Sequence, residues 1–508
     1  MATINFDIDV QVYYGAGAAA VSLDINTWPA VDGLTATPHR VDVGESTALD
    51  LTMTDPDGDP MTFAWTAGCT GSFDDASLED PTFILDADNG GADCVLTATI
   101  SDGRGGSNTA SISVATGPEI IISEGFDFVL TADDAQADDN LGHSVSIDGE
   151  TAVVGAWQED PGGISNAGAA YVFVRSGSGW VQEAKLTASD AASGDVFGYS
   201  VSISGDTAIV GAERDNGNVG AAYVFVRSGG VWSQESKLTV PDGAAGDYFG
   251  SRVSLYSDTA VVGAWMSDPG GVSGAGSAYV FVRSGGVWSQ EAKLTVSGAN
   301  SWDLLGASVA IYGDTIIVGT EAGEAGAVTN AGTAYVFVRS GGVWSQEAKL
   351  TASDAATGDR FGATADLYDN TAILGAWYSD PSGRLDAGSA YIFVRSGGVW
   401  TEQTKLVASD SEEGDHFGKS VAISGDTAVV SASYEDPGGI TDAGSAYVFS
   451  LNGGIWTEQE KLNTEDPHLN DFFGVGASIS GDTVLVGAYQ AEPDGVTNAG
   501  GAYIFEGI

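Results

Sequence analysis

The sequence predicts an all-β protein: a seven-bladed β-propeller preceded by an immunoglobulin-like β-sandwich. Three observations lead there. A unit of about 56 residues recurs seven times, each unit reads as four short strands, and the first quarter of the chain follows a different strand pattern.

The repeat is tracked by the glycine of a Phe-Gly (twice Leu-Gly) pair, at Gly142, Gly198, Gly250, Gly306, Gly362, Gly418 and Gly474. The steps are 56, 52, 56, 56, 56 and 56 residues. In the second unit, "YSVSIS" alternates apolar and polar residues, as a half-buried strand does. "GD" turns the chain into the apolar "TAIVGA". A loop leads to "GAAYVFVRS", and a Gly-rich turn leads to "VWSQESKLTV". Four antiparallel strands repeated radially make a propeller, whereas coils of a β-solenoid usually have a shorter period.

The last unit ends at "GGAYIFEGI" and has three strands. The missing fourth-strand pattern stands before the first unit, where Leu130 precedes Gly142 by the same twelve residues that separate Leu186 from Gly198. This early strand is therefore expected to complete the seventh blade and close the ring, removing the open edges of a linear stack.

Residues 29–116 form a separate strand-rich unit of immunoglobulin-like size. A join at 117–122 leads into the propeller at 123–508. Ahead of it, within 1–28, "TINFDIDVQVYY" alternates strictly between apolar and polar residues. It reads as one amphipathic strand with no obvious hairpin partner, available to add to the sandwich edge or, through residues 3–14, to another subunit by strand addition.

Composition narrows the function. Seventy Asp and Glu against 18 Lys and Arg give a formal net charge of −52, which argues against nucleic acid and against anionic membrane surfaces. No apolar run is long enough to insert into a membrane, and no basic and apolar leader follows Met1. Cys69 and Cys94 are a candidate disulfide, which would imply an oxidising compartment; the sequence alone leaves the pairing open. His39, His143, His416 and His468 stand at isolated positions without zinc-ligand spacing.

The "FG", "VVGA" and "AYVF" segments of residues 123–508 resemble the FG-GAP repeats of integrin alpha-subunit propellers and many bacterial surface proteins. "DPDGDP" and "SDGRGGS" make residues 29–116 similar to PKD or cadherin-like modules. The resemblance implies an extracellular or cell-surface adhesion protein. It does not carry calcium sites onto the repeats. The family places its Asp-rich calcium loop between the first two strands, where this chain has only "SGDT" or its variants. A two-residue hairpin turn cannot wrap an ion that wants six to eight oxygens. Asp206, Asp314, Asp426 and Asp482 are thus expected as turn residues. In the N-terminal module, Asp55, Asp57 and Asp59 begin like a calcium loop but lack the closing Glu, so calcium competes with a plain Asp-Gly turn.

Strand order puts all long loops on one face of the propeller, and that face is expected to be strongly acidic. Two candidate site patterns lie there. Trp157, Trp265, Trp377 and Tyr489 open equivalent loops near the channel, where aromatic faces could stack on sugars. Packing into blade junctions is the competing reading and has the stronger general claim. Asp160, Asp268, Asp380 and Asp436 head "DP" turns and are candidates for cation or ligand capture, against the commoner role of Asp in opening a Pro-Gly turn. The expected function is non-enzymatic recognition of a glycan or protein ligand at a cell surface. The alternatives are a structural subunit of a surface filament or phage-tail-like particle assembling through the N-terminal strand, and a carbohydrate-active enzyme built on the propeller.

Overall fold

The computed structural model describes residues 6–13, 20–27, 30–37, 40–41, 44, 46–55, 59–86, 94–104, 107–116, 121–123, 127–177, 179–464 and 467–508. The chain forms two compact units, Met1–Ile120 and Ile121–Ile508. No helix among the described residues is long and apolar enough to cross a membrane.

In the first unit, two four-stranded sheets make the sandwich. One contains Ala30–Thr37, Ser46–Thr54, Gly71–Phe73 and Thr82–Leu85; the other contains Arg40–Val41, Thr62–Ala67, Cys94–Ser101 and Ser107–Thr116. Alternation dictates the packing: along Ser46–Leu51 and Cys94–Ile100 every second residue is buried. Leu49, Leu51, Trp65, Phe83, Leu96 and Ile100 form the core, and the Trp65 indole donates to the Leu78 carbonyl at 3.0 Å. Cys69 and Cys94 are joined in a disulfide. Phe6–Tyr13 does have a hairpin partner. It pairs antiparallel with Ala20–Thr27 in unbroken register, from Phe6 opposite Thr27 to Tyr13 opposite Ala20. The sequence reading missed this because Ala20–Thr27 lies beyond a run of Gly and Ala that reads as a join.

The second unit is the seven-bladed propeller. Blade two shows the pattern: Ser200–Ser204, Thr207–Ala212, Ala221–Ser228 and Val231–Leu238, each antiparallel to the next. The second strand is buried along its whole length because blades cover both of its faces. Each hydrophobic core is shared between neighbouring blades, as where Val153 and Val172 of blade one meet Phe197, Val210 and Tyr223 of blade two. The seventh sheet takes its outer strand from Phe128–Leu130, which pairs with Ile504–Ala502. Blade six gains a fifth strand, Ile121–Ser123, parallel to Glu460–Leu462.

The recurring glycines have a steric cause. In blade two the Gly198 amide donates to the Gly211 carbonyl at 3.0 Å, tying the Phe-Gly and Gly-Ala segments together. Across the junction, a Cβ on Gly155 would lie 2.0 Å from the Gly198 oxygen, and one on Gly211 would lie 1.9 Å from that of Gly250. The same approach joins Gly487 of the last blade to Gly142 of the first, at 1.9 Å. At these junctions blades therefore meet backbone to backbone, an approach that favours glycine; blade six alone has Ser431 at the equivalent position.

Serine side chains add a second inter-blade link. The hydroxyls of Ser146, Ser202 and Ser254 accept from the amides of Ile203, Leu255 and Ile311 in the next blade. Ser478 of blade seven accepts from Ile147 of blade one at 3.2 Å. Asp366 does the same work toward Ile423 at 2.8 Å.

Candidate functional site at the channel mouth

Four of the long loops are pinned by an aspartate at their start. Asp160, Asp268, Asp380 and Asp436 each accept the amide six residues downstream at 2.6–2.8 Å, closing a turn whose next residue is proline. One carboxylate oxygen of each thus belongs to its own loop. The loop then fixes the residue before each Phe-Gly pair. The Tyr248 amide donates to Asn218, that of Arg360 to Asn330, that of His416 to Asp386 and that of Phe472 to Asp442. These four residues sit at φ between 52° and 57°, a left-handed conformation uncommon for such side chains. The same position in the other three units, Asn140, Val196 and Leu304, also has positive φ. A strained backbone held this consistently is a feature of sites where geometry must be fixed.

The acids of this face are largely paired. In blade two Lys237 bridges Asp190 at 2.7 Å and Asp215 at 2.6 Å, and Tyr223 donates to both carboxylates. The pairing of Lys with the inter-blade Asp recurs at Lys185–Asp134, Lys293–Asp242, Lys405–Asp354 and Lys461–Asp410. Blade four lacks the acid, having Gly298 there, and Lys349 turns to the Glu324 carbonyl instead. Asp195, Asp247, Asp359 and Asp415 accept the amide three residues upstream in their own turns. On the opposite face, the Asp206 carboxylate pairs with Arg227 at 2.6 Å and Asp314 with Arg339 at 2.7 Å, so the turn residues also anchor the neighbouring hairpin.

At the centre of the long-loop face lies a cavity of about 700 Å³. Its wall includes Trp265, Trp377, Tyr199 and Tyr248, together with Arg214, Arg252, Arg360 and Lys419 against only two acids, Glu213 and Glu321. The expectation of a strongly acidic face therefore fails at its centre. A smaller recess of about 190 Å³ adjoins it through Lys419 and His143 and is lined by Trp157, Tyr434, Phe472 and Tyr489.

The aromatic rings form chains of contact. Tyr489 stacks on Phe472 with centroids 5.5 Å apart, Phe472 meets Tyr434, Tyr434 meets His416, and His416 meets Trp377 at 5.1 Å. His143 lies within 6 Å of Trp157, Tyr199 and Tyr489. Tyr248 stacks on Trp265 at 5.8 Å. The structure thus brings all four predicted aromatics to the mouth, each half-buried. Position-by-position repeat reading missed His143, His416, Tyr434 and Phe472. Only His416 and Phe472 share a repeat position, but each of the four flanks a Phe-Gly or Leu-Gly pair or stands at the start of a long loop, and that placement is the signal that finds them.

The cations are also organised. The Lys419 ammonium stands 3.6 Å over the Trp377 ring, and the Arg360 guanidinium lies 4.6 Å from the Tyr378 ring centre. Burial, with Arg252 and Arg360 nearby, pulls the Lys419 ammonium down to about 8, against the opposing pull of Glu321. Burial likewise lowers His143 and His416 to about 4, so both are neutral at pH 7. Glu213 is 6 % exposed, and burial raises its carboxyl, opposed by Arg252 and Arg214.

In the first unit, Asp57 lies outside the described residues. The Asp59 amide donates to Asp55 at 3.3 Å, and the Asp59 carboxylate pairs with Arg104 at 3.2 Å. Among the described residues, no three His, Cys, Asp or Glu side chains are grouped to hold a metal ion.

Two family models match the two units of this architecture. The FG-GAP repeat model matches seven successive segments, 127–173, 180–225, 232–281, 288–337, 344–393, 400–449 and 456–505. The chain belongs to the FG-GAP repeat family. Residues 26–115 match a bacterial Ig domain. No curated protein matches. Among solved structures, the periplasmic gluconolactonase of Pseudomonas aeruginosa is similar at 13 % identity and TM-score 0.44, covering 80 % of this chain and 98 % of its own. A Bacteroides thetaiotaomicron protein of unknown function is similar at 8 % identity and TM-score 0.34, covering 94 % and 98 %.

Proposed function

We propose that this is an extracellular recognition protein whose propeller binds carbohydrate at the channel mouth without turnover. The band of aromatic side chains around a cavity large enough for a small ligand carries the reading. Sugar rings present apolar C–H faces that stack on aromatic rings, and their hydroxyls find Glu213 and Glu321 among the lining groups. A disulfide in the first unit favours residence in an oxidising compartment.

The test is a glycan array probed with the full chain, with calcium and then with chelator. Specific signal lost in Trp265→Ala and Trp377→Ala supports the reading, and the chelator arm decides whether a metal assists. A blank array under both conditions refutes it and turns the search to protein ligands. Glu213 gives a second reading some footing, because a buried carboxyl with a raised pKa suits general acid chemistry. Product analysis on any bound glycan, with Glu213→Gln as comparison, separates binding from turnover.

A further inference from the structure

The mouth concentrates positive charge in a chain that has little of it. Four of the 18 Lys and Arg residues line one cavity, while 70 Asp and Glu are available to neutralise them. Yet among the described residues neither Arg252 nor Lys419 has a carboxylate within ion-pair distance. Arg252 donates to the Ser251 carbonyl at 2.7 Å and lies over the Tyr199 ring, and Lys419 lies over Trp377. The contrast with the fourth-strand lysines is informative, since five of those six reach a carboxylate at 2.6–2.7 Å. Arg360, on the same wall, is already paired with Glu321, and Arg214 lies 3.7 Å from Glu213. Two half-buried cations thus face a cavity without a direct ion pair among the described residues; Glu321 and Glu213 act on Lys419 and Arg252 only from beyond ion-pair distance, and the two cations repel each other. Such groups are stabilised by an anion entering from solution.

Resting on the carbohydrate reading above, we propose that the ligand is an acidic saccharide. Its ring stacks on the Trp265 and Trp377 side of the cavity, and its carboxylate or sulfate is held between Arg252 and Lys419. The wider −52 field opposes an approaching anion, but at 0.15 M salt charges beyond about 8 Å are largely screened. Within the cavity four cations outweigh two acids.

The experiment compares matched ligand pairs by calorimetry on the full chain at 0.15 M salt. Oligogalacturonate is set against its carboxyl-reduced form, and a sulfated galactan oligomer against its desulfated form. The acidic member of at least one pair is expected to bind more than tenfold tighter, in line with the strength of charge-assisted hydrogen bonds. The pair that shows the preference identifies carboxylate or sulfate. The preference should collapse in Arg252→Met and in Lys419→Met, and survive in Lys419→Arg. The matched pairs on the unmodified protein keep the test valid if a variant fails to fold. Equal affinity within both pairs overturns the acidic-ligand inference and leaves carbohydrate binding standing. No binding of any saccharide overturns both, and binding of an acidic peptide alone reassigns the cations to a protein ligand.

Discussion

Gly211→Ala should destabilise the propeller through a single contact. Gly211 is the penultimate residue of the apolar second strand of blade two, and an added Cβ would meet the Gly250 oxygen of blade three at 1.9 Å. To bring that contact to the shortest ordinary separation, the two backbones must part by about 1 Å. Both are fixed: the Gly211 carbonyl accepts the Gly198 amide, and the Gly250 amide donates to Gly263 at 3.0 Å. Overpacking a core costs about 1–3 kcal/mol, and with backbone on both sides the cost belongs at or above the upper end of that range. Gly205→Ala is the control. It places alanine at φ 57° with nothing within 4 Å of the new Cβ, so it incurs only left-handed backbone strain of about 1–2 kcal/mol. Blade six supplies a natural counterpart, since Ser431 stands where the other blades have glycine and its Cβ comes within 2.8 Å of one built on Gly474. Urea unfolding followed by tryptophan fluorescence measures all of these. Gly211→Ala equal to the unmodified protein, or milder than Gly205→Ala, would refute the argument that direct backbone contact between blades selects glycine.

Three further outcomes are expected. Leu130→Ala, which truncates a side chain only 2 % exposed, should lower propeller stability by about 2–5 kcal/mol, whereas Val129→Ala at 41 % exposure should be nearly neutral. Equal effects would show that the early strand does not latch the last blade. Burial raises the Glu458 carboxyl to about 7, against the hydrogen bonds from Ser409. Its contribution to stability is therefore present below its unfolded value and is lost as pH rises through 7. Gln occupies the equivalent place in four other blades, at Gln182, Gln234, Gln290 and Gln346. The stability advantage of Glu458→Gln should accordingly grow by about 2–3 kcal/mol between pH 5 and pH 8, and a difference flat in pH would count against this. Reducing the Cys69–Cys94 bridge should destabilise the sandwich by about 2–4 kcal/mol and leave the propeller transition unmoved, as calorimetry with and without reductant can show.

The repeat, the four-strand unit and the separate N-terminal module are legible in the residues alone. Those rest on period and on local patterning: strict alternation in strands such as Ser46–Met53, Gly-Asp hairpin turns, and glycines whose spacing is fixed by contact with the next blade. The sequence also placed Trp157, Trp265, Trp377 and Tyr489 on one face, because strand order decides which loops share a side. It could not pair Phe6–Tyr13 with Ala20–Thr27, since a hairpin partner behind a Gly/Ala run leaves no turn signature. The electrostatics of the mouth came from the folded arrangement. Net charge counts every acid equally, but the inter-blade Asp residues are taken by fourth-strand lysines or by their own turns, while Arg252 and Lys419 line the cavity with no carboxylate at ion-pair distance among the described residues. His143, His416 and Lys419 occur once each at their repeat positions, so no periodicity marks them. They become a site only because seven blades arranged around one axis bring unlike residues of distant sequence to the same opening.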